Sequence, residues 1–287
     1  MSKQNRVRPD PGGRLETLQE ISDIKRIMER SSRFISLSGL SGIAAGLCGY
    51  CIAIFVINEG DRVRRQLAEM APLSETIDIV VADGGSTDGS LALDSLDAFR
   101  LRALLVKRSP GKLSAQMRMA IAFALGEDYE GVIVIDGNGK DDHSAVPRFI
   151  ELLDAGYDHI QGSRYIPGGH GINTPLSRSL GVRLLHAPLI SAAAGARYTD
   201  TTNGFRAYSR RLLTDPRVQP LRDIFVGYEL HYYLAIRAAR LGFRVTETPV
   251  TRRYPLDGKT PTKISPVKGN LLILRTLAAA ALGKFNP

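Results

Sequence analysis

The chain has 287 residues, of which 44% are apolar, and a formal net charge of +9 at pH 7. This length suits one large α/β domain or two small ones, and the apolar content excludes wholesale disorder. The positive charge is concentrated, because Val250 to Pro287 holds seven Lys/Arg and one acid, and Gln161 to Arg211 holds seven Arg and one acid. This asymmetry predicts polyanionic partners, namely phosphate groups or an anionic membrane surface. Nucleic acid is not predicted, since the chain has no Trp and no recognisable nucleic-acid-binding motif.

The first 49 residues are predicted to form an extension before the main domain. Apolar residues at three- and four-residue spacing from Leu15 to Met28 predict an amphipathic helix within residues 1–33. Phe34 to Ile57 then runs for 24 residues without a charge, which is long enough to span a membrane. Many Gly and Ser residues, and a β-branched, aromatic end from Tyr50 to Ile57, favour instead an apolar lead-in followed by a buried strand. Both interpretations stay open here.

Strand-like and helical segments alternate along the rest of the chain. The predicted strands are Tyr50–Ile57, Ile77–Ala82, Leu101–Val106, Val132–Ile135, Tyr157–Gln161, Phe205–Tyr208 and Phe243–Glu247. The predicted helices are Asp61–Met70, Ser90–Ala98, Leu113–Leu125, Ala145–Ala155, Leu176–Ala194, Tyr228–Leu241 and Lys268–Leu282. This alternation predicts an α/β fold with a mainly parallel central sheet and helices on both of its faces.

Two strand-aspartate-glycine elements carry the strongest functional signal. Asp83 ends one apolar run and is followed by the loop 84–88, and Asp136 ends another run and is followed by the loop 137–142. The carboxyl ends of parallel strands meet at one edge of the sheet, where open α/β sheets bind nucleotides. One such element is common, but two in tandem, each with room for a strand and a helix, favour a nucleotide site.

Six segments, taken in order along residues 52–265, resemble the family 2 glycosyltransferases with the Rossmann-like GT-A fold, especially the dolichol- or polyprenyl-phosphate sugar synthases. The segments are Ile57–Gly60, Asp83–Asp88, Asp136–Asn138, Gly162–Tyr165, Asp200–Arg206 and the late set Arg253, Gly258 and Lys263. Each segment alone is generic, and their shared order makes the resemblance specific. It implies a catalytic domain over residues 50–265, followed by an apolar and basic C-terminal helix over residues 266–287. The implied activity is inverting, metal-dependent sugar transfer from a UDP- or GDP-linked donor.

The resemblance also assigns roles to individual residues. Those placed on the nucleotide sugar are Asn58, Glu59, Asp83, Asp136 and Asn138. Lys112, which lies outside the six segments, could also reach the diphosphate from its loop, but it can equally be a solvated loop lysine. Those placed on the reacting sugar and the acceptor are Asp136, Arg164, Asp200, Arg206, Arg253 and Lys263. Asp136 and Asn138 would hold Mg²⁺ or Mn²⁺ on the diphosphate. The family's acidic motif usually ends in aspartate, so the uncharged Asn138 predicts weaker metal binding or help from Asp141 or Asp142.

The abundance of arginine in the second half of the chain bears on the acceptor. A phosphate monoester, with a second pKa of about 6, is already a nucleophilic anion near pH 7 and needs cations but no protein base. A hydroxyl acceptor needs a base, for which Asp200 is the candidate unless it simply pairs with a nearby arginine. We therefore favour a polyprenyl phosphate acceptor at the cytoplasmic face of a membrane. The alternatives are a hydroxyl of a lipid-linked glycan or a degenerate, non-catalytic homologue.

Two apolar helices are predicted to hold the protein at the membrane. Leu176–Ala194 and Lys268–Leu282 are flanked by arginine or lysine and are too short or too interrupted to span a bilayer comfortably. Helices of this kind lie in the interface, with their cations on lipid phosphates.

Overall fold

A computed structural model of the protein describes residues 32–36, 49–255 and 268–287. Its strands are Ser32–Ser36 (β1), Tyr50–Val56 (β2), Asp78–Asp83 (β3), Ala103–Lys107 (β4), Gly131–Asp136 (β5), His159–Ser163 (β6), His170–Ile172 (β7), Arg206–Ser209 (β8), Val245–Pro249 (β9) and Thr251–Arg253 (β10). Eight of them form one sheet in the order β1-β4-β3-β2-β5-β8-β6-β9, and β7 pairs with β10 in a separate ribbon. Within the sheet, β4, β3, β2 and β5 are parallel neighbours, whereas β1 and β8 run antiparallel to the strands beside them.

Helices cover both faces of this sheet. They are Asp61–Met70 (α1), Leu113–Gly126 (α2), Val146–Asp154 (α3), Leu176–Gly181 (α4), Ala187–Ala194 (α5), Arg210–Leu213 (α6), Glu229–Arg240 (α7) and Lys268–Ala281 (α8). A π-helical turn, Val182–His186, joins α4 to α5, so the predicted helix Leu176–Ala194 is continuous but locally widened. The mainly parallel sheet with helices around it confirms the predicted fold class.

The central strand β2 contributes to two cores, because successive residues of a strand point to opposite faces. Ala53 and Phe55 pack on one face with residues of α2 and α7. Ile52 and Ile54 pack on the other face with residues of α1 and α3. Strand β2 is therefore buried on both sides, which explains its near-continuous apolar sequence.

A third apolar cluster lies beside the sheet and joins three helices. Ile190 of α5, Ile236 of α7 and Leu277 of α8 are buried together in it. This packing uses only one side of α5 and α8 and fixes both helices to α7. None of the helices in the described part of the chain is long and apolar enough to cross a membrane.

The predicted helix Ser90–Ala98 is wrong. Two short 3₁₀ turns, Leu93–Ser95 and Asp97–Phe99, occupy this segment. Leu91, Leu96 and Phe99 pack into the core, and the five-residue step from Leu91 to Leu96 is not a spacing that shares one face of an α-helix. The segment therefore follows the core surface in short turns.

The sequence also missed three short strands, β1, β7 and β10. Strand β1 pairs with the edge strand β4, and together with the buried β2 it accounts for the described ends of the apolar segment Phe34–Ile57. The membrane-inserted interpretation of this segment is therefore wrong for its described residues, which belong to the sheet. Residues 1–31, with most of the predicted amphipathic helix, lie outside the described part, and the domain boundaries at 49 and 265 stay predictions.

Candidate active site

Asp83 and Asp136 end the two strands that flank β2, as the sequence predicted. In the sheet register Val56 is opposite Asp83, and Phe55 is opposite Asp136. Since neighbouring strands are about 4.8 Å apart, the two aspartates are separated by roughly 10 Å across β2. This distance is suited to the two ends of a nucleotide, with its nucleoside near one carboxylate and its diphosphate near the other.

Asp83 organises the loop that follows it. Its Oδ1 atom accepts hydrogen bonds from the backbone N of Gly85 (3.1 Å) and from the backbone N and Oγ of Ser86 (2.8 and 2.7 Å). The side chain is almost completely buried. One carboxylate oxygen thus shapes the turn, and only the other is left for a ligand.

Asn58 and Glu59 lie on the neighbouring loop after β2. The Oδ1 atom of Asn58 accepts a hydrogen bond from the backbone N of Thr87 (2.7 Å), and Asp88 accepts one from the backbone N of Gly60 (2.9 Å). These contacts join the two loops into one rim. Glu59 is paired with Arg62 at 2.8 Å. Asn58 therefore has a structural role in this rim, whereas contact of Glu59 with a nucleoside stays a prediction.

Two buried glutamines that the sequence analysis missed connect the strand ends to the helices behind them. The side-chain amide of Gln66 in α1 donates to the backbone O of Asp136 (3.0 Å) and accepts from the backbone N of Gly139 (2.8 Å). Gln116 in α2 donates to the backbone O of Val56 (2.9 Å). A polar residue inside an apolar helix stripe was the available signal for both residues.

Asp136 occupies a tightly packed position at the sheet edge. A Cβ atom added to Gly204 would lie 2.9 Å from its Oδ1 atom, so only glycine at that position leaves room for the carboxylate. The Oδ2 atom of Asp136 faces the side-chain nitrogen of Asn138 at 3.3 Å. The sequence-predicted pair is thus adjacent, and Gly204 of the Asp200–Arg206 segment shapes the pocket for it.

Arg252, which the sequence analysis missed, neutralises Asp136. Its Nη2 atom lies 3.0 Å from Oδ2 of Asp136, and its Nη1 atom contacts the buried carboxylate of Asp141. Asp142 is also engaged, because its side chain accepts from the backbone N of Ser144. Each of these two carboxylates thus has one oxygen in contact with a protein group, and support of the metal by Asp141 or Asp142 stays a prediction.

The donor atoms at Asp136 fit a metal ion that is shared with a diphosphate. Among the described residues, no three His, Cys, Asp or Glu side chains are grouped so that they can hold a metal. Within the same part of the chain, Oδ1 of Asp136 accepts no hydrogen bond, and the side chain remains 26% exposed. Mg²⁺ is commonly held by one or two carboxylates plus substrate phosphates. Asp136 can supply that carboxylate, and Asn138 can supply an amide oxygen if its side chain rotates.

Arg164 and Asp200 form a buried ion pair. Nε and Nη2 of Arg164 lie 2.6 and 2.9 Å from the two carboxylate oxygens of Asp200, and Nη1 donates to the Tyr254 hydroxyl at 2.8 Å. Burial opposes ionisation of Asp200, but the hydrogen bond and charge of Arg164 outweigh it and hold the pKa of this carboxyl below its usual value. Arg164 thus has its donors occupied inside the protein, and Asp200 has neither the exposure nor the basicity of a general base.

Arg206 is also structural in this arrangement. Its guanidinium donates to the backbone oxygens of Asn203, His231 and Thr201 at 2.7 to 3.0 Å, and its side chain is buried. The prediction that Arg206 contacts the sugar or the acceptor is not supported by this placement, because all three nitrogens face carbonyls. The arginine instead fixes the segment that brings Gly204 against Asp136.

Arg253 and Lys112 are exposed at the same edge of the sheet. Lys112 directly precedes α2, and its Nζ atom lies 5.5 Å from the centre of the Tyr228 ring. Arg253 lines a cleft of about 310 Å³ that also includes Asn138. The charged residues of this cleft are Arg62, Arg65, Glu69, Lys140 and Arg253. Four cations and one acid line this cleft, and although Arg62 also pairs with Glu59, the balance favours an anionic ligand. Lys263 lies outside the described residues.

The chain is similar in sequence to one protein family and to individual characterised proteins. The sequence profile of the family described as "Glycosyl transferase family 2" matches residues 51–215. The chain is 31% identical to a polyprenol monophosphomannose synthase of Mycolicibacterium smegmatis, over 61% of this chain and 66% of the relative. It is 26% identical to a dolichyl-phosphate hexose transferase of Haloferax volcanii, over 78% of this chain and 90% of the relative.

Solved structures show the same fold at lower sequence identity. A crystal structure of glucosyl-3-phosphoglycerate synthase from Mycobacterium tuberculosis, in complex with Mn²⁺, UDP-glucose and phosphoglyceric acid, matches with a TM-score of 0.59 and 19% identity. The match covers 82% of this chain and 79% of that one. The central sheet and its surrounding helices are thus shared with an enzyme crystallised with a nucleotide sugar.

Proposed function

The chain belongs to glycosyl transferase family 2 and is a glycosyltransferase, and we propose that it transfers a sugar from a nucleotide-sugar donor to a polyprenyl phosphate. The observation that carries this proposal is Asp136 at the sheet edge, next to a cleft lined by four cations. A carboxylate for a metal-bound diphosphate and cations for a second phosphate are what transfer between two phosphorylated substrates requires. The names of the two relatives support the same acceptor class.

The reaction that we propose is an inverting displacement. The acceptor phosphate oxygen forms a bond to the anomeric carbon of the sugar, and the bond from that carbon to the nucleoside diphosphate breaks. The acceptor brings its own negative charge, so no residue has to remove a proton from it. The buried pair of Asp200 with Arg164 supports this route, because transfer to a hydroxyl would need a basic group there.

The proposed donor site extends from the Asp83 loop to Asp136. Mg²⁺ or Mn²⁺ bound there by Asp136, together with Asn138, would stabilise charge on the departing diphosphate. The side chains of Asp83 and Glu59 would face the nucleoside, and Lys112 would lie beside the diphosphate. Arg253 and Lys140 of the cleft would hold the acceptor phosphate.

Nucleotide release measures this function directly. UDP- and GDP-linked sugars are incubated with the protein and Mg²⁺ or Mn²⁺, with and without a short-chain polyprenyl phosphate, and the freed nucleotide is quantified. We expect that one donor releases its nucleotide only when the lipid phosphate is present, or much faster with it than without it. Release driven instead by the matching polyprenol, which lacks the phosphate, would contradict the proposed acceptor.

Arg253→Ala is expected to lower kcat/KM for the lipid phosphate by tens- to hundreds-fold, or about 2–4 kcal/mol of transition-state stabilisation. Arg253→Lys should recover only part of the loss, because a point charge replaces a bidentate fork. Slow donor hydrolysis without lipid should fall less, since Arg253 is proposed to bind the acceptor. Arg148→Ala, which removes an exposed arginine of α3, is the control. Equal losses in both assays would instead place Arg253 on the donor diphosphate.

We also propose that the continuous helix Leu176–Ala194 binds the membrane as a peripheral surface, through leucines of α4 and of the π-helical turn. Leu176, Leu180 and Leu184 follow at intervals of four residues and are exposed, the first and third by 73%. Arg178, on the same helix, lies over the Tyr254 ring at 5.7 Å, and Tyr254 in turn contacts Arg164. The leucine row therefore runs close to the proposed acceptor site, where a lipid phosphate would enter.

Liposome flotation tests this surface. Binding to anionic liposomes is expected to decrease with salt, and Leu180→Ser/Leu184→Ser should lower the partition coefficient at least about tenfold, since burying one leucine contributes about 1.5–3 kcal/mol. Leu93→Ser, another exposed leucine, is the matched control. Binding that survives both high salt and alkaline carbonate would contradict peripheral attachment through this helix.

A further inference from the structure

Arg252 contacts both Asp136 and Asp141, and it approaches from a separate part of the chain. We infer that Arg252 is the built-in counter-ion of Asp136, which keeps this carboxylate from binding a divalent cation alone, so that the cation enters only together with a nucleoside diphosphate. The inference rests on the proposed function and deepens it, because it concerns how the donor site fills.

The guanidinium of Arg252 is held between the carboxylates of Asp136 and Asp141. Arg252 is only 7% exposed at its side chain, and Asp141 is fully buried. A buried guanidinium shared by two carboxylates is held strongly, because moving it would leave an unpaired charge in a desolvated place. The fold therefore holds Arg252 next to Asp136, and Arg252 is not a solvated arginine that contacts the carboxylate only transiently.

The backbone holds the arginine in the same position. Strand β10 carries Arg252, and its residue Thr251 accepts a hydrogen bond from the backbone N of Asp142 at 3.0 Å. The backbone N of Arg253 donates to the backbone O of Lys140 at 2.8 Å. The strand is thus fastened to the loop that follows Asp136, and the guanidinium cannot leave without breaking these contacts or changing its rotamer.

The local charge disfavours a bare cation. The negative charges of Asp136 and Asp141 are opposed by Arg252 and by the buried Lys140. Lys140 is only 7% exposed, so its charge is poorly screened by solvent. A divalent ion next to Asp136 would meet the guanidinium within a few ångströms, and that repulsion offsets its attraction to a single carboxylate. A diphosphate supplies the further negative charges that make binding favourable.

Titration with Mn²⁺, followed by the electron paramagnetic resonance signal of the free ion, tests the inference without relying on activity. The informative variant is Arg252→Gln/Asp141→Asn, which replaces the buried ion pair by a neutral hydrogen-bonding pair and leaves the net charge unchanged. Arg252→Lys keeps the positive charge, and Arg148→Gln removes an exposed charge outside the cleft as the control. Circular dichroism confirms that each variant is folded.

In the absence of nucleotide, we expect the double variant to bind Mn²⁺ at least about tenfold more tightly than the wild type. Arg252→Lys and Arg148→Gln should stay close to the wild type. With UDP or GDP present, after correction for Mn²⁺ bound by nucleotide alone, all of these proteins should bind, and Asp136→Ala should not.

Equal affinity of the double variant and the wild type for Mn²⁺ alone would overturn the inference while leaving the proposed donor site intact, provided that binding with nucleotide persists. Tight binding of Mn²⁺ to the wild type without nucleotide would also overturn it. Absence of binding by every protein, even with both nucleotides, would remove the metal from the proposed function and the inference with it.

Discussion

Replacement of Asp136 by alanine is expected to lower kcat/KM about a thousandfold or more, which corresponds to a loss of roughly 4 kcal/mol of transition-state stabilisation. In the proposed site this carboxylate is the one charged metal ligand, so its loss removes the cation that balances the departing diphosphate. The fold should persist, because Arg252 keeps Asp141 as a partner. Steady-state nucleotide release with Mg²⁺ or Mn²⁺ measures the effect.

Asp128→Ala serves as the control for this experiment. Asp128 is an exposed carboxylate just before β5, at the opposite end of the same strand, where it pairs with Arg210 on the surface. We expect its loss to leave the rate close to that of the wild type. Full activity of Asp136→Ala, or wild-type activity that is undiminished in EDTA, would refute the assigned role of Asp136.

The largest expected effect on stability comes from the pair that the sequence placed at the acceptor. Asp200→Asn should lower the free energy of unfolding by about 3–5 kcal/mol, because it leaves the buried guanidinium of Arg164 without a counter-charge. For a domain of this size, the melting temperature should fall by roughly 6–20 °C. Arg148→Ala, which breaks a surface pair with Glu151, should cost at most about 1 kcal/mol.

The pH dependence of this stability has a defined sign. The pKa of Asp200 is lowered in the folded protein, so its contribution is fully present above the unfolded value near 3.8 and is lost as the pH falls through the folded value. Asp200→Asn should therefore have a lower free energy of unfolding than the wild type at neutral pH. When the pH is lowered, its free energy of unfolding should decrease less than that of the wild type. Chemical unfolding at pH 7 and below pH 4 measures this difference.

The same variant separates the two acceptor hypotheses. If Asp200 were a general base for a hydroxyl acceptor, Asp200→Asn would lose about 10²–10⁴-fold in rate even where it is fully folded, and the acidic limb of its pH profile, where a base is protonated, would change. With a phosphate acceptor, the folded variant should keep the pH profile of the wild type. Activity measured well below its melting temperature distinguishes these outcomes.

The roles of two neighbouring arginines could not be distinguished from the sequence. Arg252 and Arg253 are chemically identical, and the resemblance pointed to Arg253. In the structure Arg253 is exposed in the cleft, whereas Arg252 is buried on Asp136 and Asp141. Successive residues of a strand point to opposite sides, so the register of β10 decides which one meets the carboxylates. That register depends on pairing with β7 and with the loop after β5, which are distant in sequence.

The sequence by itself determined the strands and strand ends that local residue patterns encode. The apolar runs of β2, β3 and β5, and the aspartates that end the last two, follow from residue order alone, because buried parallel strands need continuous apolar residues and their carboxyl ends share one edge. Tertiary structure decided which charges are available to a ligand. Arg164 pairs with Asp200, which is 36 residues away in the sequence, and Arg252 pairs with Asp136, which is 116 residues away. Burial and partners of charged side chains are set by these long-range contacts, which no local pattern records, so only the folded protein separates the arginines that hold the site together from those that can bind a phosphate.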